Sequence, residues 1–204
     1  MKKKIAGYLL DIGAVFLRPE EPFTWASGIK SPIYCDNRLI LTAPEVRTEV
    51  EQAIADTVRR EFPEAQALFG TSTAGIAHAA IAAQIMNLPM GYVRSKGKDH
   101  GRNNRIEGRL PEGQKVVVIE DLISTAGSAV EVVDALKDAG AEVLGIVSIF
   151  TYGMEKGKRR LEEAAVRNVS LTDFDTAIQV AYERGDLDKK GIDELKKFIE
   201  ENGR

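Results

Sequence analysis

Val116-Val117-Val118-Ile119-Glu120-Asp121-Leu122-Ile123-Ser124-Thr125-Ala126-Gly127-Ser128 decides the fold. Its first four residues are a continuous β-branched run, with the length and composition of a strand buried on both faces. Two adjacent acids follow, then a short loop of hydroxyl and small residues, and an amphipathic helix begins near Ser128. Ser124, Thr125 and Ser128 offer hydroxyls, small side chains expose backbone N–H groups, and a helix N-terminus favours an anion, so the loop suits a phosphate. Glu120 and Asp121 are acceptor-only when ionised, which suits vicinal sugar hydroxyls or a hydrated metal. One loop thus matches both ends of a ribose 5-phosphate.

Strands and helices alternate outward from this stretch. Helix 43–62 carries Val46, Val50, Ile54, Val58 and Phe62 at four-residue spacing, with Pro44 in its first turn and Thr42 and Glu45 as a capping box. Ala67-Leu68-Phe69 reads as a short strand running into Gly70, followed by an Ala-rich helix from about Ile76 to Met86. Met90 to Val93 is the next strand, and helix 128–139 ending at Gly140 leads to a strand from Val143 to Phe150. Two C-terminal helices are expected, 173–184 capped by Thr172 and 189–201 with the apolar stripe Leu187, Ile192, Leu195 and Ile199. This alternation predicts an α/β fold, a mainly parallel twisted sheet with helices on both faces. Residues 1–204 form one domain, to which the Pro/Gly-rich region of about 18–41 contributes a small N-terminal flap. Ligands in such folds gather at the carboxyl ends of parallel strands, so the loops after Phe69, Val93 and Ile119 are expected to share one site.

Composition narrows the function classes. The 204 residues are 44% hydrophobic and 29% charged, with a net charge of −3, which implies no general affinity for nucleic acid. The single cysteine, Cys35, has no internal disulfide partner and fits a reducing compartment. Lys2-Lys3-Lys4 followed by an apolar run resembles a signal peptide only superficially. Asp11 interrupts the run, and Ile5, Leu9, Ile12 and Phe16 recur at helical spacing, as in an amphipathic helix. No run approaches the roughly 20 apolar residues of a membrane span. The expectation is a cytoplasmic protein with no membrane and no nucleic-acid partner.

Two further loops carry chemistry. Gly70-Thr71-Ser72-Thr73-Ala74-Gly75 precedes a helix but is not followed by Lys-Ser/Thr, so it is no Walker A loop; it reads as a pyrophosphate-contacting turn. Residues 94–109 hold six Lys/Arg against Asp99 and Glu107, a local net +4 in an acidic protein. Gly97, Gly101 and Gly108 make that stretch a mobile basic lid able to close over pyrophosphate and exclude water. In it Arg94 supplies a forked phosphate contact, Lys98 a point charge and His100 a hydrogen bond or proton. His78, in the Ala-rich helix, reads as structural. No Cys/His cluster suggests zinc.

The 116–128 stretch resembles the 5-phosphoribosyl-1-pyrophosphate (PRPP) motif of type I phosphoribosyltransferases. The order Arg94-Ser95-Lys96-Gly97-Lys98-Asp99-His100-Gly101 resembles the catalytic loop of the orotate phosphoribosyltransferases, and Ser27-Gly28-Ile29-Lys30-Ser31-Pro32 resembles that family's Ser-Gly-x-Lys-Ser-Pro segment. With Gly70–Gly75 and Ile106-Glu107-Gly108, the likeness covers roughly residues 5–160. It implies transfer of phosphoribose from PRPP to orotate, giving orotidine 5′-monophosphate and pyrophosphate, with Mg²⁺ arriving through PRPP and no direct protein ligand for the metal assigned. It also implies a homodimer whose basic loop acts on the neighbouring subunit's site.

Carried over by residue, the resemblance makes Lys98, Asp99 and His100 catalytic, with Asp99 orienting the loop. Arg94, Lys98 and His100 would bind pyrophosphate. Glu120 and Asp121 would hold the ribose hydroxyls, Leu122 and Ile123 would continue the PRPP motif, and Ser124, Thr125, Ala126, Gly127 and Ser128 would cradle the 5-phosphate. Ser124 also takes the position that touches orotate. Ala26, Ala74, Ser95 and Thr151-Tyr152-Gly153 stand where some members carry basic residues, so no residue is assigned to the orotate carboxylate. Two rival readings are a type I enzyme for another base and a PRPP-sensing regulator that binds nucleic acid. The Lys-Asp-His-Gly loop opposes the first; the lack of a spare DNA-binding module or excess positive charge opposes the second.

Overall fold

The computed structural model of the protein describes residues 1–20, 22–24, 30–94 and 105–203. Its centre is β8 (Lys115–Ile123), and the reason lies in the period of two. Val117 and Ile119 point into one core with Leu68, Val147 and Ile149, while Val116 and Val118 point into a second with Ala67, Phe69 and Ile146. Val116, Val117, Val118 and Ile119 are all fully buried. A strand covered on both faces has no use for a polar side chain until the sheet ends, which is why the run is continuously β-branched.

In chain order the elements are α1 (Lys2–Asp11), β1 (Val15–Leu17), β2 (Phe23–Thr24), β3 (Lys30–Ser31), β4 (Ile33–Cys35), a 3-10 segment (Asn37–Thr42), α2 (Pro44–Glu61), β5 (Ala67–Thr71), α3 (Ala74–Met86), β6 (Met90–Val93), β7 (Ile106–Glu107), β8 (Lys115–Ile123), α4 (Gly127–Asp138), β9 (Glu142–Thr151), α5 (Glu155–Glu163), β10 (Asn168–Asp173), α6 (Phe174–Arg184) and α7 (Lys189–Asn202). The main sheet has six strands in the order β10-β9-β8-β5-β6-β7. Every pairing in it is parallel except β6 with β7. Helices α1, α2, α3 and α6 cover one face through Ile5, Leu9, Ile54, Val58, Ala82 and Ile178, and α4 covers the other through Val132, Val133 and Leu136. The α/β architecture expected from the alternation is therefore the one observed. Among the described residues no helix is long and apolar enough to cross a membrane.

Several local expectations are corrected. The acids do not lie beyond the strand: β8 runs on through Ile123, because β9 is ten residues long and offers partners to Glu120, Leu122 and Ile123. Phe16 is not on the first helix. α1 ends at Asp11, Gly13 takes a positive φ of 69°, and Phe16 pairs with Tyr34 in β1–β4. Thr42 caps nothing; its hydroxyl donates to the Leu39 carbonyl at 3.0 Å to close the 3-10 segment, and Pro44 with its fixed φ starts α2. Thr172 is buried in β10, and Asp173 is the cap of α6, accepting from Thr176 N at 2.9 Å. The Ala-rich helix starts at Ala74 rather than Ile76, while β10 and α5 lie in a stretch where no element is expected from the sequence.

The flap is built from two antiparallel pairs, β1–β4 and β2–β3. Phe23 packs beside Phe16 and Tyr34, with ring centroids 6.2 and 5.8 Å away. Trp25 lies outside the described residues.

One buried polar contact fixes the helix that begins beside the site. His78 on α3 meets Glu51 on α2, Nδ1 to Oε1 at 2.5 Å, with both side chains fully buried. Burial holds the Glu51 carboxyl above its ordinary range, opposed by the His78 hydrogen bond. His78 is thus structural, as expected. Replacing Glu51 with Ala leaves a buried imidazole unpaired and opens a void, so Glu51→Ala is expected to lower the unfolding free energy by about 2–3 kcal/mol. Urea denaturation checks this; an unshifted midpoint would contradict the role given to the pair.

Candidate active site

The loop after β5 is pulled onto the sheet by missing side chains. A Cβ on Gly75 would fall 2.5 Å from both the Ile119 carbonyl oxygen and Thr71 Oγ1, and one on Gly70 would fall 2.8 Å from the Gly75 carbonyl oxygen. Only glycine permits that approach. The loop is then tied on both sides: Ser72 Oγ donates to the Val93 carbonyl at the end of β6 at 2.6 Å, and Thr71 Oγ1 donates to Glu120 Oε1 on β8 at 2.7 Å. The ends of three adjacent strands are thereby joined, as the sequence spacing predicts. The Ser72–Thr73 peptide bond is cis.

Glu120 is only 5% exposed. Its Oε1 also accepts from the Asp121 backbone N–H at 2.9 Å. Burial, and then the Asp121 carboxyl beside it, push the Glu120 carboxyl up to about 8, against the pull of the Thr71 hydroxyl. Asp121 is half-buried, and its carbonyl accepts from Asn37 Nδ2 at 2.7 Å, which ties the 3-10 segment to the end of β8.

Beyond β8 the chain turns through Ser124, Thr125 and Ala126, the last in the left-handed region at φ 59°, and enters α4 at Gly127. Neither α3 nor α4 has a side-chain N-cap or an acid in its first turn. Among the described residues their leading N–H groups have no side-chain partner, and the positive ends of two helices flank the acid pair. Ser124, Thr125, Gly127 and Ser128 sit partly or fully exposed at this turn, whereas Ile123 and Ala126 are buried and offer only backbone. The Ile123 carbonyl already accepts from Tyr152 N at 3.0 Å.

Beside the turn lies a cleft of about 890 Å³. Leu122, Ser124 and Thr125 form one wall, Tyr34, Cys35 and Phe23 of the flap another, and Tyr152 and Met154 after β9 a third. An aromatic, mostly apolar slot of this kind takes a flat ring, with Ser124 supplying a polar contact. Desolvation pushes both the Cys35 thiol and the Tyr152 hydroxyl well above their usual ranges, so neither is a ready nucleophile.

Arg94 stands at the end of β6, half-buried, with Nη1 donating to Glu107 Oε1 at 3.2 Å across the β6–β7 edge. In the described structure it makes no bond to either phosphate-type loop. Lys98, Asp99 and His100 lie outside the described residues, as do Ser27, Gly28 and Ile29 of the N-terminal motif. Three contributors escape the sequence reading. Thr71 is visible there only as one hydroxyl among several, Asn37 has no motif around it, and Arg160, which donates to Thr125, lies in a charged run with no apolar period to orient it. Among the described residues no group of three or more His, Cys, Asp or Glu could hold a metal ion.

Comparison with known proteins agrees with this geometry. A family model described as the phosphoribosyl transferase domain matches residues 38–183. The orotate phosphoribosyltransferase of Bacillus subtilis strain 168 is 59% identical over 198 residues, 97% of this chain and 90% of its own. That of Bacillus cytotoxicus is 57% identical over 200 residues, covering 98% of this chain and 94% of its own. Among solved structures, the orotate phosphoribosyltransferase of Aeropyrum pernix superposes with a TM-score of 0.76 at 28% identity, over 90% of this chain and 99% of its own. Fold, site and relatives together establish that the chain belongs to the orotate phosphoribosyltransferase family of type I phosphoribosyltransferases.

Proposed function

We propose that the protein transfers the 5-phosphoribosyl group of PRPP to N1 of orotate, giving orotidine 5′-monophosphate and pyrophosphate, in pyrimidine biosynthesis. One observation carries this reading: two uncapped helix N-termini stand on either side of an acid pair, Glu120 buried and Asp121 half-buried, beside an aromatic cleft. PRPP has the matching sequence of charges, a pyrophosphate, two ribose hydroxyls and a 5-phosphate, and orotate is the flat ring.

The reaction breaks the C1–O bond to pyrophosphate and forms C1–N1. Positive charge develops on the ribose and negative charge on the leaving group. Asp121 and Glu120 hold the ribose hydroxyls from the strand end, the α4 turn holds the 5-phosphate, and the α3 turn receives pyrophosphate. Lys98 and Arg94 stabilise the departing charge, Asp99 orients the basic loop, and His100 is the acid for pyrophosphate. For that role Arg94 exchanges its bond to Glu107 for phosphate, its usual forked partner.

Magnesium belongs to the same proposal. An adjacent acid pair is too few ligands for a protein-built site, and fits an ion that arrives on the substrate's phosphates and keeps its waters. When bound, Mg²⁺ neutralises pyrophosphate charge. We further propose a homodimer whose 94–109 loop reaches the neighbouring subunit's site, supported by the likeness of that loop to the family's. A cytoplasmic location fits the buried, unpaired Cys35.

Ultraviolet absorbance of orotate, followed with PRPP and Mg²⁺ present and each omitted in turn, tests the reaction. Loss of orotate is expected only when both are present; no loss in a protein that binds PRPP would sink the choice of orotate.

Glu120 supplies a second test. Burial holds the Glu120 carboxyl protonated up to about pH 8, whereas an exposed glutamate loses its proton near 4.5. More protons are bound folded than unfolded between those values, so this contribution is fully present at low pH and is lost as pH rises to about 8. Glu120→Gln is expected to flatten this slope and to exceed the wild type in stability at pH 9 by about 2 kcal/mol. A stability difference that stays constant from pH 5 to 9 would contradict the buried-proton assignment.

A further inference from the structure

Arg160 lies on α5, behind the turn that links β8 to α4. Its Nη1 donates to the Thr125 carbonyl at 3.0 Å and to Thr125 Oγ1 at 3.2 Å. The backbones of α5 and the turn are close enough to allow this. A Cβ on Gly157 would fall 2.5 Å from the Ser124 carbonyl oxygen, and one on Gly127 would fall 3.0 Å from Arg160 Nη1. Arg160 is not part of the cleft wall; it borders a separate depression with Gly127 and Val130.

Two physical consequences follow. A threonine hydroxyl has one proton and two lone pairs. With the guanidinium occupying a lone pair of Thr125 Oγ1, the proton of that hydroxyl is turned away from Arg160. A donor in that polarised chain is strengthened by the cation behind it. The second consequence is electrostatic. Glu131, Asp134 and Glu163 border the same depression, but among the described residues none is within ion-pair distance of Arg160. The guanidinium instead rests against the uncapped positive end of α4, which has no acid in its first turn. A cation at that end of a helix is unfavourable until an anion joins it.

We propose that Arg160 is a positioning residue for the 5-phosphate, holding Thr125 so that its hydroxyl donates to the phosphate and adding positive charge behind the loop. This rests on reading Ser124–Ser128 as the 5-phosphate cradle. It assigns to α5, a helix with one buried residue and a strongly charged sequence, a role in substrate affinity as well as in covering the sheet.

The test compares Arg160→Ala, Arg160→Lys, Thr125→Val and the Arg160→Ala/Thr125→Val double variant with the wild type. Steady-state KM values for PRPP and orotate, kcat, thermal midpoint and the inhibition constant of ribose 5-phosphate are measured. Arg160→Ala is expected to raise the PRPP KM and the ribose 5-phosphate constant together by about tenfold, the size of one charge-assisted bond, with the orotate KM unmoved. Arg160→Lys recovers part of the loss. The double variant is no worse than the weaker single variant by more than about twofold, because both remove one coupled unit. The proposal is overturned if Arg160→Ala shifts the PRPP KM less than twofold, if the two single losses multiply, or if kcat and thermal midpoint fall while the orotate KM rises with the PRPP KM, as they would for mere undocking of α5. If ribose 5-phosphate fails to compete with PRPP on the wild type, the cradle reading fails; if it competes equally with wild type and Arg160→Ala, only the role of Arg160 fails.

Discussion

The hydrogen bond from the Thr71 hydroxyl to the Glu120 carboxyl is the contact on which the rest of the site depends. It spans two neighbouring parallel strands at the point where both run out of the sheet. Strand β8 is buried on both faces, so an acid at its end has no water to solvate it and must find partners in the protein. Thr71 and the Asp121 backbone N–H supply them on one oxygen, and the Asp121 carboxyl lies beside the group. Glycines 70 and 75 exist to let the β5 loop come close enough for this bond, and the His78–Glu51 pair holds the helix that follows the loop.

The two kinds of binding surface in the site have different mechanical origins. The phosphate turns and the acid pair sit at strand ends, fixed by parallel ladders, glycine packing and a few local side-chain bonds such as Thr71 to Glu120. The ring slot is made by side chains from separate parts of the chain, the flap and the segment after β9, brought together only by tertiary packing. In the proposed reading the ribose and 5-phosphate of PRPP meet the strand ends and the α4 turn, and the choice of base falls to the part assembled from loops.

This division also explains how much is legible in the sequence. The parallel sheet, its covered faces and the acid-to-phosphate turn are written in local periods: the run Val116–Ile119, the four-residue spacing of α2, and the small residues before α4. Caps are not written so locally: Thr42 and Thr172 have the residue type of N-caps but are claimed by a 3-10 carbonyl and by a strand. Phe16 continued a helical spacing that Gly13 had already ended. The extension of β8 through its acids could not be read from β8 alone, since it is the length of β9 that pairs them. Asn37 and Arg160 enter the site from distant positions with no spacing relation to the motif, and only the fold reveals them.

The most direct measurement is a crystal structure of the protein with orotidine 5′-monophosphate. The account predicts the phosphate on the Ser124–Ser128 turn within hydrogen-bonding distance of Thr125 Oγ1, the ribose hydroxyls on Asp121 and Glu120, and the ring in the slot between Tyr34 and Tyr152. A nucleotide whose phosphate sits instead on the Gly70–Gly75 turn, or whose ribose makes no contact with the acid pair, would contradict it.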